Sequence, residues 1–382
     1  MKKKLPIILI AILWLSSCRD RSDDIIPTES NPNFFTFNGQ IGTNDHSTIV
    51  SYDNNLLICG NSGDSILVLK ISKSGDEIWR NVFLAENFNK ARSITEVPGG
   101  DIFVCGSTYS NHEGYNILLC RLKANGDTVF TKTYGGIEDD YGYQIISSSD
   151  GHLVLSCATN SYGAQSFPDI YLMKLNQEGN TLWAKRYDDP DQERSYSLLE
   201  TSDGGFLVTG TNEDNSSYRG LYLLRVSPEG EKLWDKTIGL GEWKWGFSTI
   251  ELSGGDFMTC GRYTYGGRGQ VLVIKTDSQG NEIWEKEFGD ENLSEEGRSV
   301  KQNNDGTFMI TGSSYDINTM QDDIILLKID QAGNQMWIKY FGGPEKDWGM
   351  NLIKDANDDN IITGDYSENI FMARTDKDGN FK

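Results

Sequence analysis

Only three histidines occur in 382 residues, His46, His112 and His152. His46 and His112 fall in loop regions and His152 follows a tight turn, so no grouping gives a metal spacing or a nucleophile-base pair. No glycine-rich phosphate loop follows a strand and opens a helix. Asp355, Asn357 and Asp359 alternate like the oxygen ligands of a calcium loop, but the sixth-place glycine and twelfth-place glutamate are missing, which leaves ordinary turn chemistry. The sequence therefore assigns no cofactor and no metal site. Positive charge is also short: 35 Lys and Arg against 56 Asp and Glu give −21, and without Lys2, Lys3 and Lys4 the balance is 32 against 56, or −24. Such a charge repels phosphate backbones and excludes nucleic acid as a partner. The first apolar run, Leu5 to Leu15, is too short to span a bilayer as a mature helix.

What is present is a repeat. Length alone suggests two or more domains, but turn glycines recur at Gly75, Gly126, Gly179, Gly230, Gly280, Gly333 and Gly379, spaced 51, 53, 51, 50, 53 and 46 residues apart. Five residues before each stands a basic residue, Lys70, Arg121, Lys174, Arg225, Lys275, Lys328 and Arg374. Four residues after stands an aromatic, Trp79, Phe130, Trp183, Trp234, Trp284 and Trp337, the seventh copy running out first. A Lys follows two residues later in five copies, on the same strand face, where its stem covers apolar surface and its head reaches water. Each copy reads as four strands with two tight Asp/Asn/Gly turns. The middle strands are apolar at consecutive positions, so both of their faces must be covered. A period near fifty with strand-length apolar runs and one Trp per unit predicts an all-β fold, a seven-bladed β-propeller of four-stranded blades over 34–382. The last copy stops where its outer strand should start, and Asn33 to Asn38, NFFTFN, matches that strand, so the N-terminal segment is expected to close the last blade.

The N-terminus reads as an address. A basic n-region, an apolar core and LSSC, ending at Cys18, resemble the signal and lipobox of bacterial lipoproteins. That resemblance implies that residues 1–17 are a signal peptide and that Cys18 becomes the lipid-modified first residue. The acidic cluster in RDRSDD, Arg19 to Asp24, resembles the surface-export signal of Bacteroidetes-type lipoproteins, which implies an outer-membrane, cell-surface protein held by a lipid anchor; a periplasm-facing anchor is the alternative. Residues 18–33 then form a tether, and its fifteen residues after Cys18 reach at most roughly 50 Å. The motifs DGGFLVTG at Asp203 to Gly210, LYLLRVSPEGEKLW at Leu221 to Trp234 and KTYGG at Lys132 to Gly136 resemble the repeats of seven-bladed surface-lipoprotein propellers, a blend of kelch-like and pyrroloquinoline-quinone-type repeats. The resemblance implies the fold and leaves function open, because propellers host enzymes, sugar binders and scaffolds alike. No residue set matching the quinone enzymes' cofactor site is present.

Cys59, Cys105 and Cys260 share one column of the repeat, and with Cys120 and Cys157 make five cysteines beyond Cys18. Adjacent packed sheets lie about 10 Å apart, beyond the ~7 Å that a disulfide spans, so free buried thiols are expected. The variable loops carry the candidate ligand-binding residues: Tyr141, Tyr143, Arg194, Trp243, Trp245, Arg298, Asp347 and Trp348, with Asp45 and His46 beside the gap between first and last copies. Around them stand Asp139, Asp140, Asp188, Asp189, Glu242, Glu295 and Glu345. Aromatics among carboxylates suit stacking on sugar rings or anchoring a protein; the alternative is that Trp245 and Trp348 only wedge between blades. The leading expectation is a monomeric, non-catalytic surface module binding a glycan or another envelope protein. The alternative is a carbohydrate lyase or hydrolase using loop carboxylates and tyrosines. The tether is expected to enter at the turn face, leaving the loop face directed away from the membrane. Loops after the second strand, such as Ser107 to Tyr115 and Thr159 to Pro168, are long except in the first and last copies, so a ligand is expected to approach over that low rim.

Overall fold

The computed structural model describes residues 34–37, 47–85, 88–110, 114–162, 168–187, 192–213, 219–239, 241–342, 346–366 and 369–382. Cys18, the tether, Asp45, His46, His112, Asp188, Asp189 and Glu345 lie outside the described residues. Among the described residues there are 28 strands and no helix. β1 (Phe34–Phe37) is followed by β2 (Ser47–Val50), β3 (Leu56–Ser62), β4 (Ser65–Ile71) and β5 (Glu77–Phe83). Then come β6 (Phe88–Glu96), β7 (Ile102–Ser110), β8 (Gly114–Leu122) and β9 (Thr128–Tyr134), and β10 (Asp140–Ser147), β11 (Leu153–Thr159), β12 (Asp169–Leu175) and β13 (Thr181–Tyr187). The next are β14 (Gln192–Glu200), β15 (Phe206–Glu213), β16 (Arg219–Val226) and β17 (Lys232–Ile238), and β18 (Trp243–Glu251), β19 (Phe257–Tyr265), β20 (Arg268–Thr276) and β21 (Glu282–Phe288). The last are β22 (Ser294–Gln302), β23 (Phe308–Asp316), β24 (Gln321–Ile329) and β25 (Gln335–Phe341), and β26 (Asp347–Lys354), β27 (Asn360–Tyr366) and β28 (Asn369–Thr375).

Consecutive strands pair antiparallel in groups of four, and a single parallel pair, Arg219 with Trp243, joins β14–β17 to β18–β21. The final group, β26, β27 and β28, takes β1 as its fourth strand, with Phe34 opposite Ala373 and Phe37 opposite Ile370. The middle strands are buried along nearly their whole length because a neighbouring sheet covers each face. One apolar cluster joins Leu57 and Val68 to Ile94, Val104 and Leu118 of the following sheet. Another joins Ile58 and Leu69 to Ile361 and Met372, so the last sheet packs on the first. At that seam the Thr48 and Thr363 hydroxyls are hydrogen-bonded at 2.7 Å.

The repeated columns have separate structural jobs. The basic column pairs with the first-turn aspartate of its own sheet: Lys70 with Asp53, Arg121 with Asp101, Lys174 with Asp150, Arg225 with Asp203, Lys275 with Asp256 and Arg374 with Asp355. Burial works against ionisation of Asp53, but hydrogen bonds from Lys70, Ser51 and Asn55 outweigh it and bring this carboxyl to about 2. The Trp column covers the next sheet's turn glycine. A Cβ on Gly230 would stand 2.9 Å from the Trp183 ring, and one on Gly333 2.9 Å from Trp284. On the first sheet Phe35 of β1 takes that part against Gly75. The lysines after the Trp column do more than shield apolar surface: Lys132 donates to the Glu178 carbonyl at 2.5 Å and Lys339 to the Asp378 carbonyl at 2.7 Å, tying each outer strand to the next turn. Ser107 to Tyr115, expected as loop, is largely ladder: β7 runs to Ser110 and β8 starts at Gly114. Polar residues there still pair their backbones, so low hydrophobicity does not end the strands.

Candidate binding site

The first strands of all the groups, β2, β6, β10, β14, β18, β22 and β26, face one cavity of about 960 Å³. In six of them the ladder to the second strand slips by one residue, which makes Arg92, Tyr143, Tyr196, Phe247, Arg298 and Met350 the extra residues of β-bulges. All six of these side chains line the cavity. A bulge re-aims its side chain, and here it supplies a ring of variable residues on a fixed frame. The frame is held on both sides of the bulge. The preceding residue is small, Ala91, Gly142, Ser195, Gly246, Gly297 or Gly349, because the previous sheet is already there; a Cβ on Gly142 would lie 2.5 Å from the Gly106 carbonyl oxygen. The following residue links neighbouring first strands: Ser93 Oγ accepts the Ile145 N–H at 3.2 Å and Gln144 Oε1 accepts that of Leu198 at 2.7 Å.

Aromatic and cationic groups interleave around this ring. The Arg92 guanidinium lies 4.7 Å from the Tyr143 ring centre, and that of Arg298 lies 4.3 Å from Phe247. Tyr196 meets Phe247 edge-on at 5.2 Å. Two residues toward the loop face from Phe247, Trp245 also lines the cavity, with Arg219 at 5.3 Å and Arg262 at 5.8 Å from its ring. Trp243 stands 5.9 Å farther out and is 38% exposed. Glu296 accepts from Arg298 Nη2 at 2.6 Å and Ser313 Oγ at 3.2 Å, and faces Arg262 at 3.6 Å. Glu200 and Glu251, at the turn-face end, accept the N–H and hydroxyl of Ser149 and of Ser202 respectively, each at 2.7 Å. Every carboxylate that lines the cavity is thus already held.

Of the residues expected at the site, the cavity gathers Tyr143, Trp245 and Arg298, with Trp243 on its rim. Arg194 is exposed and outside the cavity wall. Tyr141 is also outside it; its hydroxyl donates to Asp139 at 3.1 Å, and burial, with Asp139 beside it, pushes the phenol up. Trp348 is half-buried and outside the cavity wall, and its indole N–H meets Asp322 of the preceding sheet. Asp347 has no exposed surface. It shares a column with Asp140 and Glu295, also fully buried, which hold loop backbone: Asp140 accepts the Gly136 N–H at 2.8 Å and Glu295 that of Asp290 at 2.6 Å. These carboxylates open the first strands, where unpaired loop amides need acceptors.

Sequence reasoning passed over Arg92, Tyr196, Phe247, Arg262, Glu296 and Lys301, all of which line the cavity. The signal was present as the triplets ARS, GYQ, SYS, GFS, GRS and GMN, a small residue and a Ser, Gln or Asn flanking a position that changes from copy to copy.

Neither a protein-family model nor a curated protein matches the sequence. Among solved structures the chain is similar to virginiamycin B lyase from Staphylococcus aureus, with 12% identity, coverage of 90% of this chain and 99% of that one, and a TM-score of 0.55. It is similar to the Pan2 WD40 domain of Neurospora crassa at 11% identity, covering 91% and 97% with a TM-score of 0.56. It is also similar to Drosophila Semaphorin 2a at 10% identity, covering 91% and 75% with a TM-score of 0.55. At such identities the likeness speaks for fold alone. The repeat, the consecutive four-stranded groups around one cavity and these likenesses together make the chain a β-propeller.

Proposed function

We propose that the protein is a non-catalytic binding module, a seven-bladed propeller anchored at the outer membrane through a lipid on Cys18, and that its ligand, a glycan, enters the channel from the loop face. The β1–β28 pairing and seven first strands around one cavity support the blade count. The observation that carries the binding reading is the aromatic set Tyr143, Tyr196, Trp245 and Phe247 at the wall of a 960 Å³ cavity. Aromatic rings offer flat apolar faces for sugar C–H groups at low entropic cost, and the volume suits a small ligand. The commitment of Glu200, Glu251 and Glu296 to amides, hydroxyls and guanidiniums favours binding over hydrolysis or elimination, which need a carboxylate ready to exchange a proton. A glycan array and a turnover assay on the full-length protein in detergent test this. Binding without turnover, lost in Trp245→Ala and Phe247→Ala, is the expected result; cleavage of any bound glycan would replace it with the lyase or hydrolase reading.

A further inference from the structure

Resting on that reading, we infer that the channel selects an acidic carbohydrate, a chain bearing uronate carboxylates, and that Lys301 is the group that meets the carboxylate. Lys301 is the third residue beyond the bulge in β22, in register with Met309. In the other first strands the same place is held by Ile49, Thr95, Ile146, Leu199, Ile250 and Ile353. One copy alone therefore sets an ammonium into a layer that is otherwise aliphatic or hydroxylic, and Lys301 faces the cavity. Among the described residues it makes no hydrogen bond or ion pair. Burial lowers its pKa, which is the mark of a cation short of compensation. A scaffold position gains nothing from such a residue where six sister copies do without it.

The route to Lys301 has the same preference. Along β22 the bulge at Arg298 lies about 10 Å nearer the loop face, from a rise of roughly 3.3 Å per residue. Arg298 spends Nε and Nη2 on Glu296, while its Nη1 makes no bond among the described residues. Arg92 and Arg262 stand on the same wall. A sugar passing this ring stacks on Tyr196 and Phe247 and carries its carboxylate past guanidiniums to an unpaired ammonium. On this wall Arg92, Arg262, Arg298 and Lys301 stand against Glu200, Glu251 and Glu296, a small excess of positive charge in a chain of net charge −21.

Isothermal titration of the full-length protein in detergent with trigalacturonate, its methyl ester, maltotriose and sodium sulfate tests the inference. Trigalacturonate is expected to bind about tenfold or more tighter than its ester, the scale of one desolvated charged hydrogen bond. Lys301→Met, which restores the apolar character of the column and so keeps the fold, brings acid and ester to within about twofold, whereas Lys301→Arg retains the preference. Equal binding of acid, ester and maltotriose, abolished by Trp245→Ala, would leave the glycan-binding reading standing and overturn the acidic selectivity. An acid preference untouched by Lys301→Met would overturn the role of Lys301. Sulfate binding with none of the sugars, or no binding of any of the four, would overturn the inference.

Discussion

Replacing Asp365 by asparagine should stabilise the protein above neutral pH and leave it nearly unchanged in acid. Asp365 lies on β27 opposite Trp348, is 7% exposed, and neither carboxyl oxygen has a hydrogen-bond partner among the described residues. Burial raises its pKa from the ordinary 3.8 to about 7. Because the folded carboxyl holds its proton more tightly than the unfolded one, the folded state is favoured at low pH. That advantage is lost as pH rises from about 4 through about 7. The full difference corresponds to roughly 4 kcal/mol, a sizeable part of a domain's net stability. Asparagine keeps the shape and removes the charge, so urea unfolding at pH 8 should show the variant more stable by up to about 4 kcal/mol, with the gap closing at pH 4. Parallel stability curves for the two proteins across this range would refute the claim that a buried ionised carboxylate is tolerated at a cost.

The closure by β1 makes a second prediction: Phe35→Ala, which uncovers the Gly75 turn, should cost about 2 kcal/mol, below the 3 to 5 of a fully buried phenylalanine because Phe35 is half-buried. An unchanged denaturation midpoint would count against closure as a source of stability. The five cysteines Cys59, Cys105, Cys120, Cys157 and Cys260 are buried and free, and burial pushes the Cys260 thiol up to about 12. A thiol reagent should leave all five unlabelled in native protein and modify all five in denaturant, as mass mapping would show. Rapid native labelling at any of them would contradict that packing.

What was legible in the sequence is what the copies share. The turn glycine and the basic residue before it recur seven times and the aromatic after it six times, and most copies repeat the same contacts, so the shared rule stands out above local noise. The site is hard to read for the same reason. Its residues sit where the copies disagree, at bulges that differ as Arg92, Tyr196 and Phe247 differ, and a search for sameness passes over them. Asp347 and Trp348 show what the sequence leaves undecided. A carboxylate and a tryptophan beside a loop resemble a binding pair in the sequence, whereas the fold buries Asp347 and sets Trp348 against Asp322, positions that depend on the preceding sheet and are not written in the local residues.

Amide hydrogen exchange with and without the tightest carbohydrate from the array tests most directly whether the channel wall is the working surface. The ladder is irregular at Phe247 and Arg298, and both side chains line the cavity, so exchange of the amides beside them reports on occupancy. Ligand should slow exchange in β18 and β22 and in the bulges of neighbouring first strands, with the turns at Gly75 and Gly230 unaffected. Protection confined to those turns or to the outer strands β5, β9 and β13, with the first strands unchanged, would place the ligand elsewhere and contradict the account.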